Sequence, residues 1–272
     1  MQGIKPRRII KMRILSGLLI SIFFYSVSLA QPDVSLWHTQ KSEHFIVYFQ
    51  DAPAGYIEKL ISKAEDYYRS ITEELGFTRF EGFWTWDKRA KIYLFANMRE
   101  YQKSTDQPEW SGGKVNVVSR EIVTYVDMQE FFDIILPHEL GHIVFREFIG
   151  YKRRLPLWLD EGVVSFLEKS YKKERLEAAS FLVRTKAFIP LEKLEEMRSG
   201  DIKTPGIFYA ESASIIEFLV RTYGKDMFVD FCRKLKQLRE DQSWEVALRD
   251  VYRFKNFSEM NDAWVKFLYT GE

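Results

Sequence analysis

The chain has 272 residues, of which 46% are hydrophobic and 16% aromatic, enough for the core of one large domain or two small ones. Lysine and arginine number 40 against 39 for aspartate and glutamate, which excludes the strongly basic surface typical of nucleic-acid-binding proteins. The single cysteine, Cys232, excludes an internal disulfide. We expect it to be a buried apolar side chain.

The first 30 residues have the pattern of a secretory signal peptide. Five basic residues precede an apolar stretch that ends in Ser28-Leu29-Ala30, as in a basic region, an apolar region and a cleavage site of small residues. The apolar stretch is short for a membrane span of about 20 residues. We therefore predict cleavage and a secreted or periplasmic protein, with net charge −4 after cleavage. The alternative is an N-terminal segment that is not cleaved and anchors the protein in the membrane. We expect membrane contact only through such an uncleaved N-terminus.

Between residues 40 and 130 the chain alternates strand and helix patterns. Runs of aromatic and β-branched residues predict strands, and apolar residues at three-and-four spacing predict an amphipathic helix. The predicted elements are strands over 44–49 and 91–95, helices over 54–75 and 98–103, and a β-hairpin of 115–119 with 122–128. These elements indicate a small mixed sheet.

From residue 129 onward the pattern is almost entirely helical. Helices are predicted over 129–148, 160–171 and 173–185, with several more toward the C-terminus. Strands followed by helices are typical of an α+β fold. We predict three parts, namely a signal peptide over 1–30, a core domain over 31–171 and a helical C-terminal subdomain over 172–272 that packs on the core.

The pentapeptide H-E-L-G-H at 138–142 contains two of the four histidines in the chain. Residues four apart in an α-helix lie on nearly the same side, so His138 and His142 can reach one metal ion. The alternative is a surface helix with two ordinary histidines. Because the flanking residues are largely apolar, Glu139 would be buried between two imidazoles, and a buried charge needs partners. The pattern therefore predicts a zinc site.

A third zinc ligand is expected, because catalytic zinc usually takes three protein ligands and leaves one position for water. Eighteen residues separate His142 from Glu161, enough for the chain to turn and bring a second helix against the first. Glu161 thus completes a set of two histidines and one glutamate for one Zn²⁺ ion per chain.

The two motifs together resemble those of the gluzincins, the thermolysin-like zinc peptidases. The sequence W-L-D-E-G at 158–162 is similar to W-L-x-E-G of the aminopeptidase N branch and of the peptidase MA-like families. The resemblance covers about residues 40–170 and continues more weakly through 209–214. It implies a zincin-like metallopeptidase core in which zinc activates a water molecule, Glu139 is the general base and catalytic residue, and Tyr209 stabilises the oxyanion. A structural role is the alternative for Tyr209, since the chain has 14 tyrosines.

One departure from the family pattern narrows the expected activity. Aminopeptidases of this group carry a G-x-M-E-N segment whose glutamate holds the free amine of the substrate. Residues 112–116 read G-G-K-V-N here and lack that acid. We therefore predict an endopeptidase-like enzyme for peptide or protein substrates. The alternative is a non-catalytic binding or assembly protein of the cell envelope that keeps the fold and the metal.

Three further expectations concern the surroundings of the site. Ser165 and Asp133 are candidates for a hydrogen bond to a ligand imidazole, with contacts to solvent or neighbouring backbone as the alternative. In the resembling fold, segment 122–128 would offer its edge to an extended peptide by strand addition. The basic run 152–154 predicts a solvated loop, with contact to an acidic substrate or a membrane surface as the alternative.

Overall fold

The computed structural model describes residues 34–77, 88–105, 113–128 and 130–271. The predicted signal peptide, residues 1–30, lies outside the described residues. Within the described ranges, no helix is both long and apolar enough to cross a membrane.

The described strands form one five-stranded sheet in the order β1-β2-β3-β5-β4. The strands are β1 (His38–Lys41), β2 (Phe45–Phe49), β3 (Ala90–Phe95), β4 (Gly113–Asn116) and β5 (Glu121–Tyr125). β3 pairs in parallel with β2 and β5, whereas β1 and β4 add antiparallel edges. The predicted mixed sheet is therefore confirmed, and the short polar strand β1 (HTQK) is one that the apolar patterns did not predict.

The predicted β-hairpin is confirmed, but its strands differ from the predicted bounds: the first runs from Gly113 to Asn116 instead of 115–119, and the second from Glu121 to Tyr125 instead of 122–128. β4 ends at Asn116, whose side-chain oxygen accepts hydrogen bonds from the backbone N–H groups of Val118 and Ser119. This local contact turns the chain before the strand can continue, as asparagine side chains often do. β5 then begins at Glu121 and pairs antiparallel with β4.

The expectation of a free edge along segment 122–128 is wrong. β5 lies between β3 and β4 and pairs with a strand on each side. Among the strands that the structure describes, the edge on this side of the sheet is β4, which the hydrophobic pattern could not distinguish from β5 because both strands show short β signals.

Helices dominate the rest of the described chain. They are α1 (Tyr56–Leu75), α2 (Met98–Thr105), α3 (Leu136–Ile149), α4 (Leu157–Leu167), α5 (Lys172–Arg184), α6 (Leu191–Glu196), α7 (Pro205–Tyr223), α8 (Lys225–Gln237), α9 (Glu245–Tyr252) and α10 (Phe257–Thr270). All five described strands lie before residue 126, interspersed with α1 and α2, and α3 to α10 follow them, which confirms the α+β class with a mostly helical C-terminal part.

The helix predicted over 129–148 consists of two parts. A π-helical turn, Phe131–Ile135, precedes α3. Pro137 lies in the first turn of α3, where its missing N–H is tolerated. The next predicted helix also differs, because α4 begins at Leu157 and ends at Leu167, before a separate 3-10 turn at Lys169–Tyr171.

One large apolar core extends over both sides of the predicted boundary at residue 172. It includes Val47 and Ile92 of the sheet, Ile143 of α3, and Cys232 and Trp264 of the C-terminal helices, all fully buried. The burial of Cys232 is as expected. The division into a core domain and a C-terminal subdomain stays a prediction.

Candidate metal centre

The first two turns of α3 carry the H-E-x-x-H side chains. His142 is fully buried, and His138 and Glu139 are 7% and 4% exposed. The two Nε2 atoms of His138 and His142 lie 3.2 Å apart. One helical turn therefore brings both imidazoles to one point, as their spacing predicts.

Helix α4 brings Glu161 to the same point. Its Oε2 atom lies 3.6 Å from His138 Nε2 and 3.7 Å from His142 Nε2. One ligand atom from each of the three residues lies within 4.8 Å of the other two. In the part of the chain that the structure describes, this is the one such group of histidine, cysteine and acidic residues.

Two glycines allow the helices around this point to pack closely. A Cβ atom on Gly141 of α3 would lie 3.1 Å from Cγ1 of Val164 on α4. A Cβ atom on Gly162 would lie only 2.6 Å from the backbone oxygen of Ser212 on α7. Real Cβ atoms do not approach that closely, so Gly162 explains how α4 lies directly against the α7 backbone.

The donor set and its surroundings suit a zinc ion. Two imidazole nitrogens and one carboxylate oxygen are the ligand types of catalytic zinc sites. Glu161 Oε2 is buried and has no hydrogen-bond donor, which is costly for a carboxylate in the absence of a cation. Burial raises the pKa of Glu161, although His142 and His138 oppose that shift. A cation between these three residues would remove the cost.

The ring of His138 is held from behind by Glu168, which follows α4. His138 Nδ1 lies 2.7 Å from Glu168 Oε1, so Nε2 is the nitrogen that faces Glu161. Arg175 of α5 donates to the other oxygen, Glu168 Oε2, at 2.6 Å. Burial raises the pKa of Glu168, but His138 and Arg175 outweigh it and lower the pKa below its usual range. Burial opposes protonation of His138, yet Glu168 raises its pKa to about 9.

The ring of His142 faces a second carboxylate, that of Asp160. Asp160 Oδ1 lies 3.8 Å from His142 Nδ1, and Arg146 pairs with Asp160 through Nη2 at 2.5 Å. Burial acts to raise the pKa of Asp160, but Arg146 and His142 outweigh it and hold that pKa well below its usual range.

Neither candidate for a hydrogen bond to a ligand imidazole, Asp133 or Ser165, contacts an imidazole ring, and both instead have the alternative surroundings expected above. Asp133 is exposed and pairs with Lys63 at 3.4 Å. Ser165 is fully buried, and its backbone oxygen accepts a hydrogen bond from Arg175. Sequence reasoning missed Glu168 and Asp160, although Glu168 follows Glu161 by seven residues, about two helical turns, and so lies on a similar side of the helix.

Tyr209 is close to the centre. It lies on α7, is 2% exposed, and its ring centroid is 6.5 Å from that of His138. Burial raises the pKa of Tyr209, and the carboxylates of Glu161, Glu168 and Glu139 raise it further. The phenol therefore keeps its proton at neutral pH and can donate a hydrogen bond.

Comparison with known proteins gives the same picture of the fold. The sequence model of the Peptidase MA superfamily matches residues 81–270. A search of curated proteins gave no significant match. Among solved structures, the crystal structure of an M1 zinc metallopeptidase from Deinococcus radiodurans is similar, with a TM-score of 0.50 and 16% sequence identity.

The alignment with that structure covers 86% of this chain and 52% of the other, so the present chain spans about half the length of the M1 metallopeptidase. At this identity the likeness concerns the fold alone. The superfamily match, in contrast, extends over more than half of the present chain. This protein therefore belongs to the peptidase MA superfamily and has the gluzincin-like fold of its zinc peptidases.

Proposed function

We propose that this protein is a zinc-dependent metallopeptidase that cleaves peptide bonds within peptide or protein substrates. The observation that carries the proposal is the buried convergence of His138, His142 and Glu161, with Glu139 in the same helical turn. These three residues would hold one Zn²⁺ ion per chain. A bound zinc ion would supply Lewis-acid chemistry, polarising the scissile carbonyl and lowering the pKa of a water molecule.

Glu139 is the general base in this proposal. It lies between the two histidines in sequence and is buried with them, which supports its role in taking a proton from the attacking water. Glu139 then delivers that proton to the leaving amine. This second transfer restores the carboxylate for the next cycle.

Tyr209 is the hydrogen-bond donor for the oxyanion that develops on the scissile carbonyl. A buried phenol that keeps its proton can donate to a negative oxygen without reorganising solvent. Its position beside His138 supports this role.

The start of β4 lies close to α3, the helix that carries His138 and His142, because a Cβ atom on Gly113 would lie 3.7 Å from Ile135 Cγ2. Val115 of the G-G-K-V-N segment stands in place of an acid that could hold a free amine, which favours cleavage within a chain.

Export and partners follow from the sequence patterns. We propose a secreted or periplasmic protein on the basis of residues 1–30, and no nucleic-acid partner on the basis of the charge balance.

The test combines metal analysis with hydrolysis of a peptide library. The purified protein should contain about one zinc ion per chain and cleave internal peptide bonds, and a chelator should abolish cleavage. Glu139→Gln and Tyr209→Phe should keep the metal. We expect Glu139→Gln to lower kcat at least about 100-fold and Tyr209→Phe about 10-fold to 1000-fold with little change in KM.

Glu147→Gln is the matched control, because it makes the same change on the same helix without touching the three ligands. It should cleave like the wild type. Full activity of Glu139→Gln would disprove the role of Glu139, and a zinc-loaded wild-type protein that cleaves nothing in the library would favour a non-catalytic binding protein.

A further inference from the structure

Arg146 is a buried arginine one helical turn beyond the metal-ligand candidate His142. It lies in the last turn of α3 and is 2% exposed. Its Nε atom lies 3.1 Å from Asp160 Oδ1 and 3.2 Å from Oδ2, and its Nη2 lies 2.5 Å from Oδ2. The guanidinium therefore binds both oxygens of the Asp160 carboxylate, and this bidentate contact fixes the position and the rotation of the carboxylate.

Asp160 lies next to two of the three ligand candidates, Glu161 and His142. It directly precedes Glu161 on α4, and its Oδ1 atom lies 3.8 Å from Nδ1 of His142. An imidazole that binds a metal through Nε2 presents its Nδ1–H to an acceptor behind it, and Asp160 is placed as that acceptor. Arg146 thus binds the one carboxylate that faces His142 and belongs to the first turn of α4.

The third donor of Arg146 reaches the loop that joins the two ligand helices. Its Nη1 donates to the backbone oxygen of Arg153 at 2.7 Å. Arg153 in turn donates through Nη1 to the backbone oxygen of Arg239 at 3.1 Å and through Nη2 to that of Leu238. These carbonyls belong to the C-cap residue of α8 and to the residue after it.

A stabilising role alone does not account for the Arg146–Asp160 pair. Burying two charges costs about as much as their attraction returns, so such pairs contribute little net stability compared with apolar side chains. The pair of Arg120 with Glu147, the residue next to Arg146, is more exposed and touches none of the three ligand candidates. The distinguishing property of Arg146 is its contact with Asp160 behind His142.

We propose that Arg146 is a positioning residue of the metal centre. It holds Asp160 so that the ring of His142 and the start of α4 are oriented for a metal ion, and it ties this arrangement through Arg153 to the C-terminal end of α8. The inference rests on the proposed zinc site.

The test measures zinc affinity of the full-length protein by competition with a chromophoric chelator, together with the visible spectrum of the cobalt-substituted protein. Asp160→Asn should lower zinc affinity about 10-fold to 100-fold and shift the cobalt spectrum. Arg146→Met should do the same. Arg146→Lys should bind zinc more tightly than Arg146→Met but less tightly than the wild type, because the lysine ammonium keeps the positive charge but cannot form the bidentate contact.

Glu147→Gln is the matched control and should bind zinc like the wild type. Asp160→Asn has nearly the same shape as the natural residue, so it tests the proposal even if Arg146→Met does not fold. Wild-type affinity and an unchanged cobalt spectrum in both Asp160→Asn and Arg146→Lys would overturn the proposal while leaving the zinc site intact. Failure of the wild type to bind zinc would instead overturn the proposed function itself, and the inference with it.

Discussion

Glu211 of α7 is a buried carboxylate outside the metal centre. Its side chain is fully buried, and both carboxylate oxygens lie 3.1 Å from the backbone N–H of Ile189, which donates to them. Burial raises the pKa of Glu211 to about 8, and the hydrogen bond from Ile189 opposes the shift only in part. The folded protein therefore holds a proton on this group in mildly acidic solution.

This shift predicts a loss of stability with rising pH. The folded pKa lies above the unfolded one, so the contribution is fully present below about pH 4.5 and is lost as pH rises through about 8. Between about pH 4.5 and about pH 8, each unit of rising pH lowers the contribution of Glu211 to the free energy of unfolding by about 1.4 kcal/mol. Glu211→Gln should remove this slope, as measured by denaturant unfolding of zinc-loaded protein from pH 5 to pH 8.5.

An exposed glutamate provides the comparison for Glu211. Glu192 of α6 is exposed, so Glu192→Gln should keep the wild-type slope. The wild type and both variants have the same titratable groups at the metal centre. The pH dependence that those groups contribute to the free energy of unfolding therefore cancels when the slopes are compared. Equal slopes for Glu211→Gln and the wild type would show that Glu211 is ionised throughout this range.

The ligand candidates were predictable from spacing, whereas most of the groups behind them were not. His138, His142 and Glu161 follow from the helical period and from the preferred ligands of zinc, and the structure brings them together. Glu168 and Asp160 are ordinary acidic residues in the sequence. Their roles depend on where α5 and the end of α3 place Arg175 and Arg146 relative to them, and such distances are tertiary properties.

Among the helices, α4 is the one that lies in the middle of the metal centre, because it packs between α3 and α7. Gly162 permits the contact with α7 and directly follows Glu161. We expect Gly162→Ala to push α4 away from the Ser212 backbone and move Glu161. The free energy of unfolding should fall by about 1–3 kcal/mol, as is typical of overpacking, and zinc affinity should fall with it.

Gly206→Ala is the control for the change at Gly162. Gly206 lies in the first turn of α7, and a Cβ atom there would meet no heavy atom within 4 Å. Alanine should therefore leave zinc affinity unchanged and raise the free energy of unfolding by about 0.4–1 kcal/mol. Denaturant unfolding and chelator competition measure both variants, and equal behaviour of the two would contradict the close approach of α4 to α7.

The existence of most elements was predictable, and their ends and neighbours were less so. Strands β2, β3 and β5 are rich in aromatic and β-branched residues, so their pattern identifies them. β1 has no such pattern and is a strand because β2 offers it backbone partners. In the same way, only pairing across the sheet decides that β4 and not β5 forms the edge.

At the scale of the whole molecule, the C-terminal helices connect to the ligand helices through polar contacts as well as through the core. Glu195 of α6 accepts hydrogen bonds from the indole N–H groups of Trp158, at 3.1 Å, and Trp244, at 3.0 Å. Trp158 lies in the first turn of α4, so this carboxylate joins the start of the Glu161 helix to the residue before α9. Arg153 makes a second connection, to the end of α8.

These connections predict that zinc stabilises the metal centre and the C-terminal helices together, so that they unfold in one cooperative transition. A ligand that binds only the folded state adds about 4 kcal/mol to the free energy of unfolding at a free concentration 1000 times its Kd. We expect excess zinc to raise Tm and a chelator to lower it, with far-ultraviolet circular dichroism and tryptophan fluorescence changing together. Glu161→Gln should lose most of the zinc-dependent rise, because it removes a charged ligand, whereas Glu139→Gln should keep it. Two separate transitions, of which zinc moves only one, would instead indicate that the C-terminal helices fold independently of the metal centre.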